Sequence, residues 1–359
     1  MDWKTRHQED IIGGLVSMFV PHIVENENTK EGMLMVFANA GIPNDRDPNN
    51  YTRHRIHQLL IGDPGEAKSR FASYIADSKI IPGARYESAQ SSTGLSLTAQ
   101  VDKEGNGSRY TLRRGPLALA RGSICALNEI DKMKSLSEHH HFLDTMEEGE
   151  FTINKYGKHY KIPANTSVVA SANPINQKWK DTKKIDLNEI PTIEQNIQRF
   201  DIISVFRAPT SKAWMSEYLR QKRGVERKYA AGEFDDYIRF LRNRSRPLPT
   251  IKKEAEDMLD KYVCEMADRG ITGVKRRRES IRRLTISRAR LKMKNVGDEE
   301  DAEEVMKFYN VMLMHEEKTI AVSKRPKIET YDLCIEILKK NKSFPYTYIA
   351  LMETMRVNR

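Results

Sequence analysis

Residues 62 to 69 read Gly62-Asp63-Pro64-Gly65-Glu66-Ala67-Lys68-Ser69, which sets a glycine, a lysine and a hydroxyl at the spacing of a phosphate-cradling loop. Such a loop turns backbone N–H groups onto phosphate oxygens. Its lysine reaches the β- and γ-phosphates, and its hydroxyl is offered to Mg²⁺ at a helix N-terminus. The implied chemistry is capture of a nucleoside triphosphate, with Gly62 through Ser69 as binding residues and Ser69 also as a metal ligand. Ala67 departs from the general pattern, in which a glycine precedes the lysine.

Sixty positions after Lys68, the apolar run Ser123-Ile124-Cys125-Ala126-Leu127 ends in Asn128-Glu129-Ile130-Asp131-Lys132-Met133. Where acidic residues cap a strand beside a phosphate loop, the first steadies Mg²⁺ and the second polarises the attacking water. Here the first is Asn128. It keeps the shape of an aspartate without the charge, which at an effective dielectric near 20 costs on the order of a few kcal/mol of metal affinity. Glu129 remains as the candidate general base. A third apolar run, Ser167 to Ser171, ends in Ala172-Asn173-Pro174. Asn173 reads either as a turn signal or as an amide that orients the lytic water.

These groups need strands behind them and helices ahead. His57 to Ile61 suits a buried strand and Arg70 to Ile75 can open a helix, giving the strand–loop–helix context that the phosphate loop requires. From 55 to about 206, short apolar runs alternate with helical stretches: His57 to Ile61, Ser123 to Leu127, Thr166 to Ser171 and Ile202 to Val205. That alternation predicts an α/β layer with a parallel sheet. Ahead of it, residues 9 to 20 and 29 to 40 read as helices and Asn44 to Arg53 as a polar loop. After Pro209 the pattern is charged and helical to about 320, broken at Pro247 and Pro249; from Lys324 a small remnant domain is expected. The division is therefore 1–206 as an α/β core, 207–320 as a helical lid and 321–359 as a tail.

A net charge of +10 and a pI near 9.3 favour an anionic partner such as nucleic acid, although ribosomal or membrane-surface contacts would give the same bias. The three cysteines lie far apart without a CxxC pair, which argues against a disulfide framework or a zinc site and for a reducing, intracellular setting. There is no apolar stretch of about 18 residues and no signal-like start, so a soluble protein without a membrane partner is expected. His139-His140-His141 reads as an exposed helix turn, because adjacent histidines on a helix point apart. Met258, Tyr262 and Met266, four apart, read as core.

The order of these motifs resembles the minichromosome maintenance (MCM) branch of the AAA+ ATPases, the replicative DNA helicases of archaea and eukaryotes. Gly62 to Ser69 is similar to the family's Walker A, which tolerates alanine before the lysine. Asn128 to Met133 is similar to its Walker B with the leading aspartate replaced, and Ala172-Asn173-Pro174 to its sensor 1. Gln198-Arg199-Phe200-Asp201 is similar to its arginine-finger segment. Gly94 to Ala99 and Leu112 to Ala120 follow its helix-2 insert, whose tip would be residues 100 to 110. The likeness runs over roughly residues 10 to 310.

The resemblance implies an AAA+ core with β-hairpin inserts and a helical lid, ATP and Mg²⁺ as cofactors, and a ring, hexameric in the family, built of this chain or of active MCM relatives. Arg199 would reach a neighbouring subunit's γ-phosphate, and Arg276, within one or two positions in Lys275 to Leu284, would be the sensor 2 arginine of the lid; a solvated basic face accounts equally well for that run. The segment Glu150 to Ile162 alternates like a hairpin around Gly157 and resembles the pre-sensor hairpin of the ring channel. Lys155 falls at its DNA-contacting lysine, Lys158 adds a charge and Tyr156 a stacking surface. The expected partner is single- or double-stranded DNA. Location would be nuclear in a eukaryote and nucleoid-associated in an archaeon. Family members usually carry an N-terminal half with an oligonucleotide-binding fold and often a zinc site, whereas this sequence starts almost directly at the ATPase module, as a truncated chain or a short relative would. Because of Asn128, the alternative to a DNA motor is a catalytically impaired subunit that uses ATP structurally as a DNA-binding or assembly scaffold. A third reading keeps the AAA+ fold with a protein client.

Overall fold

The computed structural model describes residues 10–320 except 22, 24–25, 48–49, 78–79, 91, 93, 104–109, 134–139, 178, 180–196, 209–211, 213–214, 217, 220–232 and 243–246. The expected tail, 321–359, thus lies outside the described residues.

Two helices come first, α1 (Ile11–Met18) and α2 (Glu27–Ala38). The Asp10 carboxylate caps α1 by accepting from Gly13 N at 2.8 Å. The stretch expected to be a loop, Asn44 to Arg53, instead contains a short antiparallel pair, β1 (Asp45–Asp47) and β2 (Asn50–Thr52). Its polar three-residue strands lack the apolar alternation from which a strand is read.

The chain then lays down a five-stranded parallel sheet from β3 (Gln58–Gly62), β4 (Arg85–Ser88), β7 (Ile124–Asn128), β10 (Ser167–Ala172) and β11 (Ile202–Phe206), in the spatial order β11-β3-β10-β7-β4. The central strands are apolar without alternation because both faces are covered: all five residues of β3 and all six of β10 are buried. Leu60, Ile124, Ala126 and Val169 turn to one face and join α1, α2 and the helix α3 (Lys68–Asp77) that follows the phosphate loop. Leu59, Ile61, Cys125, Leu127, Val168 and Ala170 turn to the other, packing with Leu97 of α4 (Gly94–Thr98), Leu117 of α5 (Pro116–Leu119) and Phe142 and Met146 of α6 (His140–Glu148). β4, largely exposed and polar at the sheet edge, gave no apolar signal in the sequence.

Two hairpins project from this layer, β5 (Ala99–Lys103) with β6 (Tyr110–Arg114) and β8 (Glu150–Lys155) with β9 (Lys158–Pro163). Their bases share an apolar cluster of Ala99, Val101, Phe151, Ile153 and Ile162. The C-terminal part is helical: α7 (Glu233–Leu241), α8 (Lys253–Asp268), α9 (Val274–Leu291) and α10 (Glu299–Ile320). A two-residue parallel pair, β12 (Thr250–Ile251) with β13 (Val296–Gly297), interrupts the expected all-helical run. Tyr262 and Met266 are buried and Met258 is half-buried; they sit where helical spacing put them. His141 is half-buried with its ring 5.8 Å from that of Phe151, so it is not the freely exposed residue the sequence implied. No helix among the described residues is long and apolar enough to cross a membrane.

Candidate functional site

The strands of the five-stranded sheet are parallel, so the C-terminal ends of β3, β7 and β10 share one edge, where ligands of open α/β sheets bind. The loop after β3 must fold back sharply to start α3. Gly62 does this with φ of +148°, and a Cβ there would stand 1.9 Å from the Phe206 carbonyl oxygen, so no side chain fits. Gly65 takes φ of +87° and Ala67 φ of +63°. The residue that replaces a glycine therefore holds the left-handed conformation that a glycine adopts freely, at a cost of roughly 1–2 kcal/mol.

Lys68 is 5% exposed; its Nζ donates to the Gly62 and Asp63 carbonyls at 2.7 and 2.5 Å. Burial pushes its pKa down to about 8, against the opposing pull of Asp63 and Asp131. Asp63 turns away from the loop mouth, accepting from Trp179 N and Ala208 N, and so braces the loop against the segments that follow β10 and β11. Burial raises the Glu66 carboxyl pKa, and Asp63 adds to the rise. This carboxylate lies in the phosphate loop itself.

An open cleft of about 250 Å³ is lined by Pro64, Gly65, Ala67, Lys68, Ser69, Arg70, Asn128, Glu129, Ser171 and Asn173. Its floor is a hydroxyl–amide cluster. Asn128 Oδ1 accepts from Ser69 Oγ at 2.9 Å and from Ser171 Oγ at 2.6 Å, while Ser171 Oγ accepts from Glu129 N at 3.1 Å. Ser171, next to last in β10, registers the β10 tip against the β7 tip; the sequence offered it only as a strand residue. Glu129 has φ of +58°, and its Oε1 lies 2.7 Å from Lys132 Nζ. Asn173 N donates to Asp131 Oδ1 at 3.0 Å, and burial raises the Asp131 pKa.

Of the expected site residues, Pro64, Gly65, Ala67, Lys68, Ser69, Asn128, Glu129 and Asn173 converge on this cleft. Arg199 and Arg276 do not line it. Arg199 ends a 3₁₀ turn (Ile197–Arg199) and donates to the Leu143 carbonyl of α6, with Glu147 at 3.8 Å. Burial lowers its pKa, and the nearby charge of Arg276, in the first turn of α9, lowers it further. The two arginines therefore share a separate patch.

Arg53, whose Nη1 lies 3.5 Å from the Arg199 carbonyl, leads from these arginines to a buried carboxylate whose partners the sequence did not mark. The Asp201 carboxylate, 2% exposed as a residue, accepts from Arg53 Nη2 at 2.9 and 3.1 Å, Arg283 Nη2 at 2.6 Å, Ser280 Oγ at 2.7 Å and His57 N at 2.9 Å. Burial alone would raise its pKa, but Arg283 and Arg53 hold it well below the usual carboxylate range. Ser280 and Arg283 belong to α9, so this buried carboxylate locks the helical part to the sheet. His57 accepts from Val168 N at Nδ1 and donates from Nε2 to the Met146 carbonyl, which keeps the ring neutral; burial, reinforced by Arg53, lowers its pKa well below normal.

Lys155 and Lys158 flank the tip of the β8–β9 hairpin, apart from both clusters. Lys155 Nζ donates to the Val101 carbonyl of β5 at 2.9 Å, tying the two hairpins together. Among the described residues, no group of three or more His, Cys, Asp and Glu side chains is arranged to hold a metal ion.

A parallel sheet with a phosphate loop after an interior strand, and a hydroxyl, an amide and a carboxylate on the adjoining tips, defines a P-loop NTPase domain. A family model described as "MCM P-loop domain" matches residues 3–214, and the chain belongs to the MCM family. It is 28% identical over 319 residues, 85% of this chain, to the DNA replication licensing factor MCM4 of Drosophila melanogaster. It is 28% identical over 325 residues (84% of the chain) to mcm4 of Schizosaccharomyces pombe and 26% over 305 residues (80%) to the maternal DNA replication licensing factor mcm6 of Xenopus tropicalis. The matched regions cover 36%, 35% and 36% of those relatives, so the chain spans about a third of their length.

Proposed function

We propose that this chain is the ATPase module of an MCM-type DNA motor, with residues 1–206 as its core and 207–320 as its lid. The observation that carries the reading is the convergence of Ser69, Ser171 and Asn128 at the mouth of the loop that holds Lys68, with Glu129 and Asn173 lining the same cleft. The left-handed turns at Gly65 and Ala67 and the ammonium of Lys68 suit a triphosphate. Ser69 and the Asn128 carbonyl oxygen would hold Mg²⁺, which when bound neutralises phosphate charge.

In this reading, Glu129 takes the proton of the attacking water and Asn173 orients that water. Lys132 shares the Glu129 carboxylate and must let it go for that step. Arg199 and Arg276, near each other and outside the lining of their own cleft, serve the cleft of a neighbouring subunit in a ring of this chain or of MCM relatives. Lys158 and Lys155 meet DNA phosphates from the hairpin tip. In a eukaryote the setting is the nucleus.

The neutral side chain of Asn128 and the ion-paired Glu129 favour a second reading, in which ATP is bound and hydrolysed poorly and the chain is an assembly subunit.

Nucleotide capture is tested by equilibrium binding of a fluorescent ATP analogue with Mg²⁺. Lys68→Ala removes the charge-assisted bonds to phosphate, worth about 3 kcal/mol, and is expected to weaken binding on the order of a hundredfold. Unchanged affinity would remove Lys68, and with it the phosphate loop, from the account.

A further inference from the structure

We propose that Tyr156 and Tyr110 form a stacking platform for an unpaired nucleobase at the joint between the two hairpins. The inference rests on the DNA-binding reading above and adds what is recognised, the flat face of a base rather than phosphate alone.

The two rings stack with centroids 4.4 Å apart and planes 21° from parallel, and they come from different hairpins. Tyr156 is 47% exposed at the tip. Lys155 Nζ lies 5.3 Å from the Tyr156 ring centre and Lys158 Nζ 5.7 Å from that of Tyr110, so two ammonium groups flank the stacked pair. An aromatic surface bordered by cations is what a single strand meets with base and phosphate together, whereas a duplex keeps its bases stacked on one another.

The backbone points the same way. Tyr156 and Gly157 form the two-residue turn of the hairpin, both with positive φ, +54° and +70°. The first place of such a turn suits Asn, Asp or Gly, and a bulky ring there is disfavoured. No backbone need explains a tyrosine at this place, and strain held at an exposed tip points to a use for the side chain.

The contrary view is that the stack only staples the hairpins. Equilibrium binding separates the two, with a labelled oligothymidylate of about 20 nucleotides and an oligonucleotide of the same length in which abasic linkers replace the bases. Tyr156→Ala is expected to weaken oligothymidylate binding about tenfold and abasic binding less than twofold. Tyr156→Phe should keep the wild-type difference, and Lys158→Ala should weaken both. Equal loss on the two oligonucleotides, or no loss on either, overturns the stacking platform while leaving the DNA reading in place. If the wild-type chain binds neither, the DNA reading falls and the platform with it.

Discussion

Asn128→Asp is expected to lower the Mg²⁺ concentration that half-saturates ATP turnover by ten- to a hundredfold and to raise turnover at limiting Mg²⁺. The amide oxygen accepts from Ser69 Oγ and Ser171 Oγ, both hydroxyls, and a carboxylate oxygen in the same place can accept from both. The substitution therefore adds charge without moving atoms. At an effective dielectric near 20 a unit charge about 4 Å from another contributes about 4 kcal/mol, and solvent screening in the open cleft reduces this to about 2 kcal/mol, which sets the range. A Mg²⁺ titration of turnover by Asn128→Asp that overlays the wild-type curve would show that the metal does not depend on this position.

Asp201→Asn is expected to destabilise the fold by about 3–5 kcal/mol, measured by denaturant unfolding. The carboxylate is fully buried and answers two arginines, a hydroxyl and a backbone N–H. Neutralising it leaves Arg53 and Arg283 buried without their counter-charge, the costly way to break such a pair. The pH dependence carries the same signature. The folded pKa of Asp201 is depressed, so its contribution is full above the unfolded value near 3.9 and is lost as pH falls towards the folded one. His57 acts earlier. Its folded pKa is also depressed, so the folded state resists the proton that the unfolded chain takes up below about 6.5, and stability declines from there downward. Asp201→Asn should shrink the limb below about pH 4, to which Asp298, also held low, still contributes, and keep the one attributed to His57. A variant as stable as wild type, with the same acid limb, would contradict the role given to Asp201.

The difference between what was and was not legible follows from range. The phosphate loop could be read because its needs are local: glycines where φ must be positive, a lysine and a serine at fixed offsets. The central strands were legible because burial on both faces forces continuous apolar runs. Asn128, Glu129 and Asn173 lie together at neighbouring strand tips because a parallel sheet leaves their strands ending on one edge. The Asp201 cluster was not legible: Arg53 is 148 positions from Asp201 and Ser280 is 79, with no spacing rule linking them. The bond from Lys155 to Val101, between residues 54 apart on separate hairpins, was equally hidden. The β1–β2 pair and β4 escaped because polar edge strands carry no hydrophobic period.

The central claim is that this cleft hydrolyses ATP through Glu129 in answer to DNA. Steady-state Mg²⁺–ATP hydrolysis, with and without single-stranded DNA and with Glu129→Gln as the blank, tests it most directly. Loss of a general base costs on the order of a hundredfold or more, so the account predicts a wild-type rate well above the blank and increased by DNA. A wild-type rate equal to the blank, with nucleotide still bound, would contradict it and leave ATP as a structural ligand.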